Sequence, residues 1–460
     1  MKRVTVPGDT IVAIATAAGR SGVGIVRLSG PHVPAIAEAI VRRVPKPRVA
    51  SVTAFRDAGG HTIDQGISLF FAAPHSFTGE HVLELHAHGG PAVLALIMER
   101  CVECGARIAA PGEFTQRAFL NGKLDLAQAE AVADLIAAGS ASAARAATRS
   151  LSGEFSSALH AIAADVLELR TLTEASLDFP EEDIDFVRAA DAQGRLSRIA
   201  KGLAAVTARA RRGSLLREGA TLVLVGAPNV GKSSLMNRLA REDVAIVTDL
   251  AGTTRDTLRS HIDIGGVPIT VVDTAGLRPA VDLIESIGID RTWSAVAQAS
   301  ILLLVRDARE DHPIAQEEEI VARAGADVPR ITVHNKIDLC GAPARRARDP
   351  QRGEQTRWQV WVSAKSGEGV DLIERTILEL IGADEGIEGA FIARARHLDA
   401  LQEAAAHVQG AKAELSRDVP ALELMAEELR AAHGALGAIV GESTADELLG
   451  AIFSKFCIGK

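Results

Sequence analysis

The sequence predicts a multidomain protein in which a mostly parallel α/β domain is inserted into an all-α helical domain and follows an N-terminal α+β domain. The chain has 460 residues, which is enough for about three domains. From residue 221 onward, short apolar segments alternate with helical patterns, at 221–225, 269–272, 301–305, 331–333 and 359–362. This is the rhythm of a parallel sheet with crossover helices. Alanine-rich helical patterns lie on both sides of the region, so we expect the two helical halves to pack together as one domain.

The segments that flank the α/β domain divide into an N-terminal mixed part and two helical parts. Strands are expected at 11–15, 24–28, 67–71 and 82–86, and a helix at 93–104. Longer helical patterns cover 124–177, 190–216, 394–415 and 420–440. The predicted boundaries are therefore 1–122 for the N-terminal domain, 123–217 and 383–460 for the two helical halves, and 218–382 for the α/β domain.

Composition and charge narrow the class of protein. With 47% hydrophobic and 24% charged residues, the chain has the composition of a folded, soluble protein. A net charge of −9 argues against broad, non-specific nucleic-acid binding. The four cysteines do not make a disulfide framework, and Cys101 and Cys104 are explained as small residues one turn apart on a helix. Because the sequence shows neither a signal peptide nor an apolar run of about 20 residues, we expect a cytoplasmic protein without membrane contact.

A phosphate-binding motif lies at the start of the α/β region. Residues Gly226 to Ser234 read G-A-P-N-V-G-K-S-S and match G-x-x-x-x-G-K-[ST], directly after a strand and before a helix. Backbone N–H groups and the helix N-terminus would face the phosphates. Lys232 would reach the β- and γ-phosphates, and the Ser233 hydroxyl would bind Mg²⁺.

Three further motifs follow in order, each after a predicted strand. They are Asp273-Thr274-Ala275-Gly276, Asn335-Lys336-Ile337-Asp338 and Ser363-Ala364-Lys365. The first would support magnesium and sense the γ-phosphate. The second would accept two N–H bonds from guanine and so reject adenine, and the third would lie behind the base. Together the four motifs predict a P-loop GTPase domain of Ras-like topology that binds GTP.

The residues expected to contact GTP come from these motifs and from the segment between the first two of them. They are Asn229, Val230, Gly231, Lys232, Ser233, Ser234, Thr248, Asp249, Leu250, Ala251, Gly252, Thr253, Thr254, Asp273, Thr274, Ala275, Gly276, Asn335, Lys336, Asp338, Ser363, Ala364 and Lys365. Either Thr253 or Thr254 is a candidate to close on magnesium.

Hydrolysis needs a group that orients the attacking water, and Leu277 stands where Ras-like proteins carry a glutamine. Glu285, on a predicted helix, is an acidic candidate, with a solvated helix carboxylate as the alternative. Lys232 is the second predicted catalytic residue. An amide oxygen of Asn229, with oxygens of Thr248, Leu250 and Thr253, would suit a monovalent cation. The residues alone leave that cation open.

The chain resembles the MnmE (TrmE) family of tRNA-modification GTPases along its whole length. The resemblance is carried by the segments D-T-I-V-A (9–13), G-V-G-I-V-R (22–27), S-F-T-G-E (76–80), P-G-E-F (111–114), L-N-G-K-L-D-L-A-Q-A-E (120–130), I-V-T-D-L-A-G-T-T-R-D (246–256), D-T-A-G-L-R (273–278) and F-C-I-G-K (456–460).

The resemblance implies cofactors and site residues beyond the nucleotide motifs. The N-terminal domain would bind 5-formyltetrahydrofolate, or a related one-carbon tetrahydrofolate, and would form a homodimer. The matching folate contacts are Arg27, Glu84, Lys123 and Lys460. Ser233 and Thr254 match the magnesium ligands. Asn229, Thr248, Leu250 and Thr253 match a K⁺ site, Glu285 a water-activating glutamate, and Cys457 a tail cysteine for which catalysis is a hypothesis.

The resemblance also implies a reaction and a partner. With an FAD-dependent protein of the GidA (MnmG) family, as a heterotetramer, the chain would add an aminomethyl or carboxymethylaminomethyl group to carbon 5 of the wobble uridine of tRNA. Basic clusters at 42–43, 209–212 and 345–348 are more often solvated faces than RNA contacts. The alternative function is a GTP-driven switch in ribosome assembly, and a nucleotide-retaining scaffold is disfavoured because Lys232 and Ser233 are intact.

Overall fold

The computed structural model describes residues 8–178, 191–240, 259–273, 293, 296–309, 317–325, 327–348, 357–383, 389–442, 446–454 and 456–459. The chain forms two compact units. Unit 1 comprises residues 1–133, 150–199 and 403–460, and unit 2 comprises residues 134–149 and 200–402. The four domain boundaries given by the sequence stay predictions.

The strands and helices are numbered in chain order. The strands are β1 (Ile11–Ile14), β2 (Ser21–Ser29), β3 (Ser51–Arg56), β4 (Thr62–Phe71), β5 (Val82–Gly89), β6 (Arg107–Ile108), β7 (Ala220–Val225), β8 (Arg259–Ile264), β9 (Val267–Asp273), β10 (Ile301–Asp307), β11 (Arg330–Asn335), β12 (Arg345–Arg348) and β13 (Arg357–Val362). The helices are α1 (Val33–Val41), α2 (Pro91–Glu103), α3 (Glu113–Leu120), α4 (Leu126–Ala137), α5 (Ala141–Leu151), α6 (Glu154–Asp178), α7 (Ala192–Glu218), α8 (Lys232–Leu239), α9 (Glu317–Ala324), α10 (Val370–Leu380), α11 (Ala395–Leu415), α12 (Leu422–Val440) and α13 (Asp446–Phe453).

Unit 1 is built on a six-stranded sheet with the order β3-β4-β5-β2-β1-β6. Neighbouring strands are antiparallel except for β1 and β6. Helices α1 and α2 cover the sheet through buried side chains such as Ile36, Ile40 and Ile97. The helix expected at 93–104 is α2, and it buries Cys101 completely. Cys101 is thus a core residue, and its burial raises the pKa of the thiol.

Strand β3 and the terminal helix α13 were not expected from the sequence. Strand β3 reads S-V-T-A-F-R, and within it only Phe55 is buried, so the strand lacks the apolar alternation that marks a half-buried strand. Helix α13 is eight residues long. It contributes Leu449, Ile452 and Phe453 to a small apolar cluster with Leu126.

Unit 2 contains a seven-stranded sheet with the order β12-β13-β11-β10-β7-β9-β8. The five central strands are parallel, and β12 and β8 add antiparallel edges. One face of the sheet packs against α8 and α10, and the other packs against α9. A parallel sheet covered by helices on both faces is the predicted α/β fold, with the five predicted strands at its centre.

A buried carboxylate joins the segments through which the chain enters and leaves the α/β domain. Asp134 is 8% exposed and accepts hydrogen bonds from Arg217, at the end of α7, at 2.9 Å and from Arg394, before α11, at 3.0 Å. Helix α7 also approaches the returning segment closely, because a Cβ at Gly213 would lie 1.4 Å from the carbonyl oxygen of Phe391. These contacts support the predicted insertion of the α/β domain between two helical segments.

The helices bear on the sequence expectation of no membrane contact. None of those in the described ranges has the combined length and apolar content that a membrane span requires.

Candidate functional site

The phosphate-binding motif forms a loop between β7 and α8. Gly231 caps α8 with φ 96° and ψ 26°, a left-handed conformation that favours glycine. A Cβ at this position would also lie 2.3 Å from Nδ2 of Asn335. Asn229 adopts a positive φ of 65° and is exposed on the loop. The loop backbone is therefore shaped as the sequence motif requires.

Lys232 is held over its own loop. The residue is 8% exposed, and its ammonium group donates hydrogen bonds to the carbonyl oxygens of Gly226 at 2.8 Å and Ala227 at 3.1 Å. Ser233 and Ser234, in the first turn of α8, are exposed. The N-terminus of α8 thus presents one buried cation and two hydroxyl groups beside the loop.

The Asp273 carboxylate lies at the carboxyl end of β9. Strand β9 runs parallel to β7, and Asp273 is level with Leu224, two residues before the loop. Parallel neighbours bring their carboxyl ends to the same edge of the sheet. Asp273 and the phosphate-binding loop therefore share that edge.

Asn335 bridges two loops of the site. It is 2% exposed; its Nδ2 donates to the carbonyl oxygen of Val230 at 2.8 Å, and its Oδ1 accepts from the amide of Ala364 at 2.9 Å. The sequence assigns Asn335 to guanine recognition. Its observed contacts are to the phosphate-binding loop on one side and to the loop after β13 on the other.

Asp338 and Lys336 are each held by a neighbour. The exposed Asp338 accepts a hydrogen bond from the fully buried Ser363 hydroxyl at 2.7 Å, and Lys336 lies 2.9 Å from Asp307 at the end of β10. Hydrogen bonds to the Asp307 carboxylate from Arg309 and Lys336 hold its pKa well below the usual range. The carboxylate of Asp338 is thus oriented and exposed at the mouth of the site.

Two residues that the sequence did not single out support these loops. Asp307 positions Lys336, and Arg238 of α8 donates to the carbonyl oxygens of Ala364 at 3.3 Å and Lys365 at 3.0 Å. An acidic residue at the carboxyl end of a parallel strand was a detectable signal for Asp307. Nothing in the sequence near Arg238 indicates its partners, because they lie 126 and 127 residues further along the chain.

The described part of the site therefore brings together Asn229 to Ser234, Asp273, Asn335 to Asp338 and Ser363 to Lys365 at one edge of the sheet. The other residues predicted for the GTP, metal and water-activating positions lie outside the described residues: Thr248, Asp249, Leu250, Ala251, Gly252, Thr253, Thr254, Thr274, Ala275, Gly276 and Glu285.

A second group of predicted residues lies in unit 1, on the sheet of the N-terminal domain. Arg27 of β2 and Glu84 of β5 are directly paired in register, and Nε and Nη2 of Arg27 both lie 2.9 Å from Oε1 of Glu84. The other carboxylate oxygen lies 3.1 Å from Nε2 of His86, a residue that the sequence did not single out. Glu84 is thereby fixed from both sides while its side chain stays 15% exposed.

The loop that carries Lys123 contacts the segment between β4 and β5. Asn121 donates through Nδ2 to the carbonyl oxygen of Thr78 at 2.7 Å, and Lys123 donates to that of Pro74 at 3.1 Å. The C-terminal tail lies against the end of β1 in the same unit. The backbone of Gly459 is so close to Ile14 that an added Cβ would lie 2.3 Å from the Ile14 carbonyl oxygen. Cys457 is exposed, its carbonyl oxygen accepts from the amide of Gly112 at 3.3 Å, and Lys460 lies outside the described residues.

Two family profiles match the chain. The profile described as the MnmE helical domain matches residues 126–457, and the profile described as the GTP-binding protein TrmE N-terminus matches residues 10–123. Between them they span both units.

Curated relatives match over nearly the full length. The tRNA modification GTPase MnmE of Thiobacillus denitrificans is 58% identical over 453 residues, covering 98% of each chain. The protein of the same name from Chromobacterium violaceum is 54% identical, again with 98% of each chain covered.

Two solved structures overlap with part of the chain. Aquifex aeolicus Era bound to GDP and AlF4⁻ has a TM-score of 0.27 at 25% identity, covering 44% of this chain and 69% of that one. The G domain of the Thermotoga maritima FeoB iron transporter has a TM-score of 0.25 at 23% identity, covering 35% and 98%. The fold itself is established by the strand order described above. From the two profiles and the full-length relatives, the chain belongs to the MnmE family of tRNA modification GTPases.

Proposed function

We propose that this GTPase of the MnmE family hydrolyses GTP in a K⁺-dependent reaction. With an FAD-dependent partner of the GidA (MnmG) family, it would add an aminomethyl or carboxymethylaminomethyl group to carbon 5 of the wobble uridine of tRNA. The observation that carries the GTP site is the bridge made by Asn335. That single amide ties the phosphate-binding loop to the loop behind the base, so both ends of a nucleotide would meet one connected surface.

Different residues of the site would contact the phosphates and the base of GTP. Amides of the loop and the N-terminus of α8 favour the phosphates, and Lys232 would exchange its backbone acceptors for phosphate oxygens. The carboxylate of Asp338, held by Ser363, would accept the two N–H groups on one edge of guanine. Adenine lacks that donor pair, and the Asp338 carboxylate would lose its hydrogen bonds in a complex with it.

The residues present fit a magnesium ion. Mg²⁺ prefers oxygen ligands and is usually bound by few protein groups plus phosphates. The exposed Ser233 hydroxyl at the start of α8 would be one protein ligand and Thr254 the second, and the Asp273 carboxylate at the end of β9 would support the ion. The ion, when bound, would offset charge on the β- and γ-phosphates.

A monovalent cation and an activated water complete the proposed hydrolysis mechanism. The exposed Asn229 amide fits a monovalent cation, with Thr248, Leu250 and Thr253 as its companions in sequence. K⁺ would supply the positive charge that an arginine finger brings in other GTPases. Glu285 would orient the attacking water through a bridging water.

The one-carbon donor would bind to unit 1. A carboxylate fixed from both sides suits the donor face of a pterin, and Glu84 has this arrangement through Arg27 and His86. Lys123 and Lys460 would face the glutamate tail of 5-formyltetrahydrofolate. Cys457 stays a catalytic hypothesis that a Cys457→Ser variant with full tRNA modification would refute. A cytoplasmic homodimer, assembled with the partner as a heterotetramer, completes the proposal.

The first test compares GTP turnover by the purified chain in K⁺ and in Na⁺ at equal ionic strength. We expect strong stimulation by K⁺ and its loss in Asn229→Lys, in which the ammonium group occupies the cation position. Equal rates in the two salts would remove K⁺ from the proposal. Binding of 5-formyltetrahydrofolate by calorimetry then separates the modification enzyme from a ribosome-assembly switch, which needs no folate.

A further inference from the structure

The edge strand β12 is unusual because three of its four residues are arginines. Arg345, Arg346 and Arg348 are all exposed, and β12 forms the outer edge of the seven-stranded sheet. From Arg345 to Arg357 the sequence has five arginines and two acidic residues, a net charge of +3 in a chain of net charge −9. The local charge is thus opposite in sign to that of the whole protein.

The three guanidinium groups are positioned by two tryptophans of the neighbouring strand β13. The Cζ atom of Arg345 lies 4.0 Å from the ring centroid of Trp361, and those of Arg346 and Arg348 lie 4.8 and 5.2 Å from that of Trp358. Stacking on a ring restrains a side chain that is otherwise flexible. A partner would therefore meet arginines that lose less conformational entropy on binding.

The positive charge of β12 is only partly offset by its described ion pairs. Glu379 of α10 lies 3.0 Å from Nη1 of Arg346 and 3.8 Å from Nη2 of Arg348. One carboxylate is thus shared between two arginines, while Arg345 lies against Trp361. Counting these four groups alone, the strand and Glu379 together carry two net positive charges.

The other two basic clusters in the sequence have different surroundings. In the 209–212 cluster, Arg209 stacks at 3.7 Å on the buried ring of Phe391 and donates to the carbonyl oxygen of Gly389 at 2.7 Å, so this arginine serves packing. At 42–43, Arg42 is the C-cap of α1 with a φ of 62°. The cluster on β12 instead presents stacked, exposed and under-neutralised guanidinium groups.

We propose that the basic edge formed by Arg345, Arg346 and Arg348 binds the phosphate backbone of tRNA. The proposal rests on the proposed function, which makes tRNA the substrate. Guanidinium groups match phosphate oxygens with paired N–H donors, and each phosphate neutralised releases condensed counterions. RNA is favoured over an acidic protein segment because arginines held on aromatic rings also suit stacking with unpaired bases.

The test uses the full-length chain and an unmodified tRNA transcript, with affinity measured by fluorescence anisotropy from 50 to 200 mM KCl (roughly the range over which counterion release is resolved). The variant is Arg345→Gln/Arg346→Gln/Arg348→Gln. Its control is Arg375→Gln/Arg417→Gln/Arg430→Gln, which removes the same charge from three exposed arginines that are paired with acids on their own helices or next to them. GTP turnover in K⁺ and the thermal transition are measured for both variants.

We expect the β12 variant to bind tRNA about 10- to 100-fold more weakly and to lower the slope of log affinity against log salt by about 2 to 3. The control keeps both values, and GTP turnover stays at the parent level in both. Replacing the three arginines by lysine is expected to restore the salt slope but not the full affinity, because charge is kept while the paired donors are lost.

An unchanged affinity and slope in the β12 variant would overturn the proposal, as would a parent chain that binds no tRNA by itself. Loss of binding to the FAD-dependent partner with tRNA affinity intact would assign the edge to an acidic protein surface and also overturn it. Failure of the proposed function is seen separately, as absence of wobble-uridine modification in a complementation assay with the parent chain.

Discussion

The two candidate sites of this chain are built in opposite ways. The nucleotide site in unit 2 is made of contiguous loops at the carboxyl ends of parallel strands, and each loop has its own short sequence motif. The site in unit 1 pairs Arg27 with Glu84, which are 57 residues apart, and its other candidates come from elsewhere in the chain. A sequence motif therefore reports backbone that wraps a ligand, whereas a site made of facing side chains depends on which strands the fold places side by side.

Both sites nevertheless share one device. In each, a functional oxygen is held by a neighbour before any ligand is bound: Asp338 by Ser363, and Glu84 by Arg27 and His86. A group that is already oriented loses less conformational entropy on binding. If the two sites act independently, a substitution in one leaves ligand binding at the other unchanged.

Asp338→Asn should affect the nucleotide site alone. It removes a carboxylate that would accept two hydrogen bonds from guanine, each worth about 1.5–3 kcal/mol when charged. We expect GTP affinity to fall by about 10²- to 10⁴-fold, with xanthosine triphosphate bound in its place because its base carries a carbonyl where guanine has an amino group. Folate affinity is expected to stay unchanged, and calorimetry with the three ligands checks all of this. An unaltered preference for GTP would contradict the assigned role.

Arg117→Ala should destabilise unit 1. Arg117 is 8% exposed at its side chain and lies between Asp9, Glu80 and Glu113, of which Glu113 is 2% exposed. Removing one partner of a buried ion pair costs about 3–5 kcal/mol. We expect a loss of this size in the free energy of unfolding, measured by urea titration.

The matched control is Arg375→Ala in unit 2. Arg375 and Asp371 are 70% and 58% exposed, and such a pair contributes about 0–1 kcal/mol. Equal effects of the two substitutions would mean that the network around Arg117 contributes no more than a surface pair.

Glu84→Gln should weaken folate binding about 10- to 100-fold, because one charged acceptor is lost while the shape of the side chain is kept. GTP turnover is expected to stay at the parent level. His86→Gln is the milder companion variant, since its amide still donates to Glu84. If Glu84→Gln binds folate as the parent does, the carboxylate is not a folate contact. Binding is measured by calorimetry.

The stability of unit 1 at low pH should depend on the protonation of Glu113. Burial by itself would raise the pKa of Glu113, but hydrogen bonds from Arg107, the Ala110 amide and Arg117 outweigh burial and hold it below the ordinary value. A carboxyl whose pKa is lower in the folded state contributes stability above its unfolded pKa of about 4.3 and loses that stability as the pH falls through the folded value. We expect the urea concentration at the unfolding midpoint to decrease as the pH is lowered below about 4. The decrease should be smaller in Glu113→Gln.

Much of the fold could be predicted because its central elements are apolar and regular. Strands β7, β10, β11 and β13 begin or end within two residues of the expected positions, since parallel strands buried on both faces read as continuous apolar runs. The edge strands β8 and β12 were not predicted, because neither is a continuous apolar segment. Strand β12 reads R-R-A-R, and nothing in that composition predicts a strand; the pairing with β13 makes it one.

The candidate sites show the same limit. The phosphate-binding loop and Asp338 follow from motifs, but the bond between Asp307 and Lys336, the bridge of Asn335 and the contact of His86 with Glu84 depend on which strands are neighbours. Strand order is a property of the tertiary structure, and no short segment of the sequence indicates which strands become neighbours. The motif therefore predicts only guanine recognition for Asn335, whereas its contacts in the structure link two loops.

The bridge made by Asn335 also provides a built-in spectroscopic reporter. One side-chain amide donates to Val230 and accepts from Ala364, so its two NH resonances and the backbone amide of Ala364 sense both loops at once. Selective ¹⁵N labelling of asparagine and alanine would follow these signals through a titration with GDP. Synchronous shifts would mean that the phosphate and base ends of the pocket close as one body, and separate shifts would resolve two steps.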